Sequence, residues 1–168
     1  GICLTLCDQN SVQYHCHNFL ELVYVTKGTA KHTLNGTETV ITKGNYFIID
    51  FGAYHKYDRI GEEPFQIINC LFTPVFIDKT LVNCRSFREL INNYLIRFRY
   101  ETFDSNPTDV IFTDSDGEIY RLISHMLREF ENDAAGYLEV MRCNLIELII
   151  LTMRRINKKD TNIIYNNF

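Results

Sequence analysis

His15-Cys16-His17-Asn18-Phe19-Leu20-Glu21-Leu22-Val23-Tyr24-Val25-Thr26-Lys27-Gly28 is the stretch on which the reading of this chain turns. Side chains alternate along an extended strand, so His15, His17 and Glu21 fall on one face and Cys16 on the other. Two residues of strand advance roughly 6.6 Å, which lets both imidazoles converge on a common point. A third imidazole, His55, follows Gly44 and Gly52. Three nitrogens and one carboxylate form a mixed donor set suited to a divalent transition metal or to a polar ligand.

The surrounding residues extend the β pattern. Residues 19–25 are rich in β-branched and aromatic side chains, and Gly28 ends the run. Residues 29–34 alternate up to Asn35-Gly36, a type I′ hairpin signal, and residues 38–42 pair back. Residues 46–50, 55–57 and 65–72 read as further strands, separated by glycine-containing turns. Short strands punctuated this regularly imply a sandwich or barrel.

After Pro74 the pattern changes. Residues 86–98 carry Leu90, Ile91, Tyr94 and Leu95 at helical spacing, and residues 99–107 are irregular. Ser115 and Glu118 have capping-box spacing ahead of a helix whose apolar face is Ile119, Leu122, Ile123, Met126, Leu127 and Phe130. A loop over 132–136 leads to a second helix over about 137–156. Leu138, Met141, Leu145, Leu148 and Thr152 follow a 3-4 rhythm there, and Ile146, Ile149, Ile150, Leu151 and Met153 widen the apolar surface. A helix apolar over most of its circumference is buried on two sides, one of which is expected to meet a partner chain. The dimerisation residues expected on this basis are Leu138, Met141, Leu145, Leu148, Ile149 and Thr152.

A length of 168 residues supports one domain with a sizeable core, or one domain plus a small appendage. The net charge of -4 argues against a nucleic-acid surface on this part of the protein. Six cysteines without a C-x-x-C pair read as thiols of a reducing cytoplasm rather than as a disulfide framework. No apolar run approaches the roughly 20 residues of a membrane span, so no membrane partner is expected.

His15-x-His17-x3-Glu21-x6-Gly28 resembles the first cupin motif. Gly44-x5-Asp50-x-Gly52-x2-His55 resembles the second, with Asp50 in place of the usual proline and Arg59 where many cupins carry asparagine. The text around both motifs is similar to the sensor half of AraC-type transcription regulators. The resemblance implies a mainly β fold with C-terminal helices: a cupin barrel (double-stranded β-helix, or jelly roll) followed by an antiparallel helix pair. It divides the chain into a barrel over 1–84, a linker region with a short helix over 85–112, a dimerisation hairpin over 113–157 and, over 158–168, the start of a linker to a DNA-binding domain.

The function so implied is effector sensing. A small molecule, a sugar or an aromatic metabolite, is expected among His15, His17, Glu21, His55, Tyr24, Phe47 and Tyr57. The protein is expected to be a cytoplasmic homodimer that reaches DNA only through a further helix-turn-helix domain. The cofactor stays open: His15, His17, Glu21 and His55 suit one divalent transition metal (Zn, Ni, Fe or Mn), equally suit direct hydrogen bonding to the effector, and have a third reading as buried structural polar groups. The alternative to a non-enzymatic sensor is a metal-dependent cupin dioxygenase, isomerase or lyase. His32 belongs to no motif and reads as a surface or core histidine, and His125 as solvent-facing.

Overall fold

The computed structural model describes residues 1–95, 110–157 and 163–165. Among these residues, ten strands form two antiparallel sheets. In chain order they are β1 (Ile2–Asp8), β2 (Ser11–His15), β3 (Leu20–Lys27), β4 (Thr29–Leu34), β5 (Thr37–Thr42), β6 (Asn45–Ile49), β7 (His55–Ile60), β8 (Gln66–Phe72), β9 (Val110–Thr113) and β10 (Ile163–Tyr165). The larger sheet runs β1-β8-β3-β6-β9-β10 and the smaller β2-β7-β4-β5, the two-sheet arrangement of a cupin barrel. Asn35 and Gly36 both take positive φ, as a type I′ hairpin requires, and join β4 to β5 in the expected register. Gly28 also has positive φ, and a Cβ there would stand 2.5 Å from the Pro64 carbonyl oxygen, so the β3–β4 turn admits only glycine.

Alternation sorts the side chains into two cores. Val23, Val25, Phe47, Ile49, Ile67 and Ile111 of the larger sheet meet Ala30, Leu34, Ile41 and Tyr57 of the smaller inside the barrel. The intervening residues Leu4, Leu22, Tyr24, Tyr46, Ile48, Ile68, Cys70 and Phe112 face the other way, onto the helices. The larger sheet is therefore buried on both faces, which is why β3 and β6 read as continuous apolar runs.

The helices are α1 (Phe87–Leu90), which widens into one π-helical turn over Ile91–Leu95, then α2 (Glu118–Asn132) and α3 (Tyr137–Asn157). Residues 96–107 of the expected helix and irregular stretch lie outside the described residues. Asp50, in the position of the cupin proline, accepts the amide of Phe87 at 2.8 Å and anchors α1. The region 85–112 is not connection alone, because β9 pairs with β6 and extends the larger sheet. Ser115 does not cap α2. Gly117 occupies that position in a left-handed conformation, and Asp114 accepts the amides of Ile119 and Tyr120 at 3.2 and 2.9 Å.

The burial of α3 corrects the expected dimer residues. Met141, Leu145, Leu148, Ile149 and Thr152 are buried within the chain, where Thr152 and Tyr46 share a hydroxyl–hydroxyl bond of 3.1 Å. Of the six, only Leu138 is exposed. The outward side of α3 instead carries Cys143, Ile146, Glu147, Ile150, Leu151 and Arg154. Among the described residues no helix is long and apolar enough to cross a membrane.

Candidate ligand and metal site in the barrel

His15, His17 and Glu21, expected on one strand face, are divided between β2, a bend and β3, and His55 comes from β7. β2 ends at His15, which registers opposite His55, the first residue of β7. The chain then bends, placing His17 between β2 and β3, and Glu21 enters β3 opposite Ile49. The Gly52 amide donates to the His17 carbonyl at 2.8 Å, so the second motif's glycine turn holds the first motif's loop.

The side chains converge. His17 Nε2 lies 2.6 Å, and His55 Nε2 3.4 Å, from the same oxygen of Glu21. The His15 ring sits 4.2 Å from that of His55 and 6.1 Å from that of His17. Donor atoms of His17, Glu21 and His55 lie within 4.8 Å of one another, the spacing a single cation would bridge. His15 flanks this trio.

Carbonyl acceptors fix the orientation of two rings. His17 Nδ1–H donates to the Phe19 carbonyl at 3.0 Å, and His15 Nδ1–H to the Gln13 carbonyl at 2.8 Å. Each Nδ1 is thereby taken up by the backbone, the arrangement that orients metal-binding histidines, and Nε2 of His17 reaches Glu21. Two acceptors would meet at 2.6 Å between His17 Nε2 and Glu21 unless a proton or a cation lies between them. His55 is fully buried, and neither of its ring nitrogens has a hydrogen-bond partner. Burial first, then the neighbouring His15, His32 and His17, push its pKa down to about 2, which favours the neutral imidazole. These observations fit a divalent metal held by His17, Glu21 and His55 with His15 beside them.

A cavity of about 410 Å³ opens next to this cluster, lined among others by His15, Glu21, His55, Tyr57 and Asn69. Tyr57 belongs to its wall. Phe47 faces the barrel interior but lies behind the cavity, where its ring stacks on His32 at 4.5 Å. Tyr24 does not face the barrel. It projects from the other side of the sheet, and its hydroxyl donates to Asp114 at 2.9 Å.

Two residues escape the motifs. His32 is buried between Phe47 and Tyr57, with Nε2 unpartnered and its pKa pushed down to about 3 by burial. Its signal was the alternation Ala30, His32, Leu34 on β4. Asn69 interrupts the apolar run of β8 in phase with inward-facing Ile67, and its side-chain oxygen is also unpartnered.

A two-sheet antiparallel barrel with histidines and a glutamate gathered at one end of its interior is a cupin-type double-stranded β-helix. The chain belongs to the family described as the AraC-like ligand binding domain, whose model matches residues 2–149. No curated protein matches the chain. Among solved structures, it is similar to a cupin protein from Bacteroides fragilis at 13% identity and a TM-score of 0.38, covering 43% of this chain and 64% of that one. A predicted oxalate decarboxylase from Thermotoga maritima matches at 20% identity and TM-score 0.38, again over 43% and 64% of the two chains. The Cnp3 cupin domain of Schizosaccharomyces pombe matches at 17% identity and TM-score 0.40, over 47% and 59%. Each alignment spans less than two thirds of the solved chain.

Proposed function

We propose that the chain is the effector-sensing part of a cytoplasmic AraC-type transcription regulator. A small polar molecule occupies the cavity beside His15, Glu21 and His55, one divalent transition metal is held at His17, Glu21 and His55, and two copies associate along the outward side of α3. The observation that carries the site is the convergence of His17, Glu21 and His55, whose donor atoms lie within 4.8 Å of one another beside a cavity.

The relay to the helices runs through β3. Glu21 points from this strand into the barrel, and Tyr24 points from its other face to Asp114, which holds the start of α2 and, through Arg155, the end of α3. An effector acts through such a connection only by binding one arrangement of sheet and helices more tightly than another. The metal, when bound, supplies a positive centre for an oxygen of the effector. His17, Glu21 and His55 would hold it, with the rings of His17 and neighbouring His15 kept in orientation by their Nδ1–carbonyl bonds.

The test is metal content by mass spectrometry of protein purified without chelator or nickel resin, beside a His17→Ala variant, followed by a thermal-shift screen of metabolites. About one equivalent of metal, lost in the variant, together with a stabilising metabolite that is not consumed, is the expected result. A metabolite that is turned over by the metal-loaded protein would replace the sensor reading with that of a cupin enzyme, a reading favoured by the open coordination positions a three-residue donor set leaves.

A further inference from the structure

A second cavity, of about 480 Å³, lies outside the barrel, where the β5–β6 turn, the outer face of β3 and the start of α2 meet. Its size falls in the range of roughly 300–1,000 Å³ that holds small molecules. Tyr24 and Tyr120 wall it, with ring centroids 5.5 Å apart and planes inclined at 45°. Tyr24 is buried, whereas Tyr120 is 48% exposed, so one ring of the pair is offered for stacking. Gly44 and Gly117 contribute backbone alone, and a Cβ on either would meet no atom within 4 Å. The space between the turn and the rings is therefore open rather than packed.

The polar groups of the wall differ in what they leave free. Thr26 donates its hydroxyl to the Gln66 carbonyl at 3.1 Å. The Asp114 side chain has no exposed surface, and its oxygens already take the Tyr24 hydroxyl, the amides of Ile119 and Tyr120, and Arg155. Asp116 is held in turn by Arg155 at 2.9 Å and by the Glu118 amide at 3.1 Å. The first amides of α2 are thus consumed by the chain's own carboxylates. Lys43 is different: it is exposed, it lines the cavity, and among the described residues it forms no ion pair. One ammonium and one aromatic face remain for an occupant.

We propose that this cavity is a second small-molecule site, and that the class of molecule it takes is an aromatic carboxylate. The ring of the ligand lies against Tyr120, and its carboxylate accepts from Lys43 Nζ. The barrel cavity has no part in this site. An occupant here touches Tyr24, whose hydroxyl binds Asp114, and so meets the connection between β3 and α2 directly.

The experiment titrates the whole chain with benzoate and 4-hydroxybenzoate, each beside its neutral amide, by ligand-observed NMR before and after chelation. The acid is expected to bind roughly five-fold more tightly than the amide, and added salt to narrow the difference. Lys43→Glu is expected to abolish the preference for the acid, and Lys43→Arg to keep it. Tyr120→Ala is expected to weaken both members of a pair on the order of ten-fold, and Tyr120→Phe to leave them unchanged. Lys43 and Tyr120 are both exposed, so the variants are expected to keep the wild-type far-UV circular dichroism; the phenylalanine and arginine variants carry the test if the others do not. A loss of acid preference in Lys43→Arg together with a loss of binding in Tyr120→Phe would overturn the proposal. Binding that survives both Lys43→Glu and Tyr120→Ala would overturn it by placing the probe elsewhere, in the barrel if chelation removes it. Equal binding of acid and amide, or binding of neither at millimolar concentration, would overturn it as well.

Discussion

At Asp114 one buried carboxylate accepts from the Tyr24 hydroxyl, from the amides of Ile119 and Tyr120, and from the Arg155 guanidinium. It serves as the cap that Ser115 was expected to provide and joins β3, α2 and α3 at one point. Asp114→Ala removes the cap and leaves the buried Tyr24 hydroxyl and the first amides of α2 without their acceptor, so a loss of roughly 3 kcal/mol in urea unfolding is expected, with Arg155 keeping its bond to Asp116. Asp114→Asn keeps an acceptor for the amides and should lose less. Beside it, burial pushes the Tyr46 phenol up to about 12, against the opposing influence of its Thr152 bond and Arg155. The unfolded chain releases this proton near its ordinary value of 10.0, and the folded chain holds it longer. The contribution is therefore intact below that value and is lost as pH rises through about 12. Comparing urea midpoints at about pH 9 and about pH 11 should show a steeper alkaline loss in the wild type than in Tyr46→Phe. Residue parity also explains what the sequence did and did not disclose about the site. Tyr24 stands an odd number of positions from Glu21 on one strand, so the period of two sends it away from the cavity, whatever its aromatic ring suggests. His32 and Asn69 obey the same parity and point inward, but neither lies in a motif, and alternation alone does not say how deep in the barrel a residue sits.

Elements were legible where their own residues dictate them. Asn35-Gly36 fixes a hairpin by backbone conformation, and the apolar face of α2 from Ile119 to Leu127 is fully internal to one helix. Elements defined by their neighbours were not. β1 and β9 are strands because β8 and β6 offer them open edges, and β9 has only four residues in which to show a pattern. α3 belongs to both kinds. Its two-sided apolarity was visible, but which side meets the chain's own sheet depends on how the helix docks. Met141, Leu145, Leu148 and Ile149 are taken up by the sheet and α2, leaving half-buried Ile146, Ile150 and Leu151 along a groove of about 360 Å³. Glu147 and Arg154 rim this groove two helical turns apart, so a two-fold antiparallel pairing of α3 would set each against its opposite in the second copy. Ile150→Glu buries a charge in that pairing and touches little of the monomer core. Light scattering at high protein concentration should accordingly report a dimer for the wild type and a monomer for the variant, with far-UV circular dichroism unchanged. A wild-type monomer would remove α3 as the dimer element.

For the molecule as a whole, the two-faced burial of the larger sheet decides how it comes apart. Its inner face closes the barrel and carries Glu21, and its outer face meets α2 and α3 through Leu22, Tyr24, Tyr46, Ile48 and Phe112. Each buried large side chain on that outer face is worth roughly 1.5–3 kcal/mol relative to exposure, so a barrel stripped of its helices would forfeit more than the whole net stability of an ordinary domain. The polar ties are arranged to the same effect. Arg142 reaches the Phe76 carbonyl at 2.7 Å, and Arg155 spans Thr113, Asp114 and Asp116, so α3 is fastened to the β-domain near both of its ends. Barrel and helices should therefore unfold in one cooperative step, with the helical signal and the tyrosine environment lost at the same urea concentration. Two separated transitions would show that the barrel stands without its helices, and a Tyr24–Asp114 contact able to break independently could not carry a signal from the cavity. A single shared transition, shifted together by metal or effector, is what the connection through β3 requires: binding at Glu21 must then be felt by the helices, because the sheet between them has no face of its own to give way.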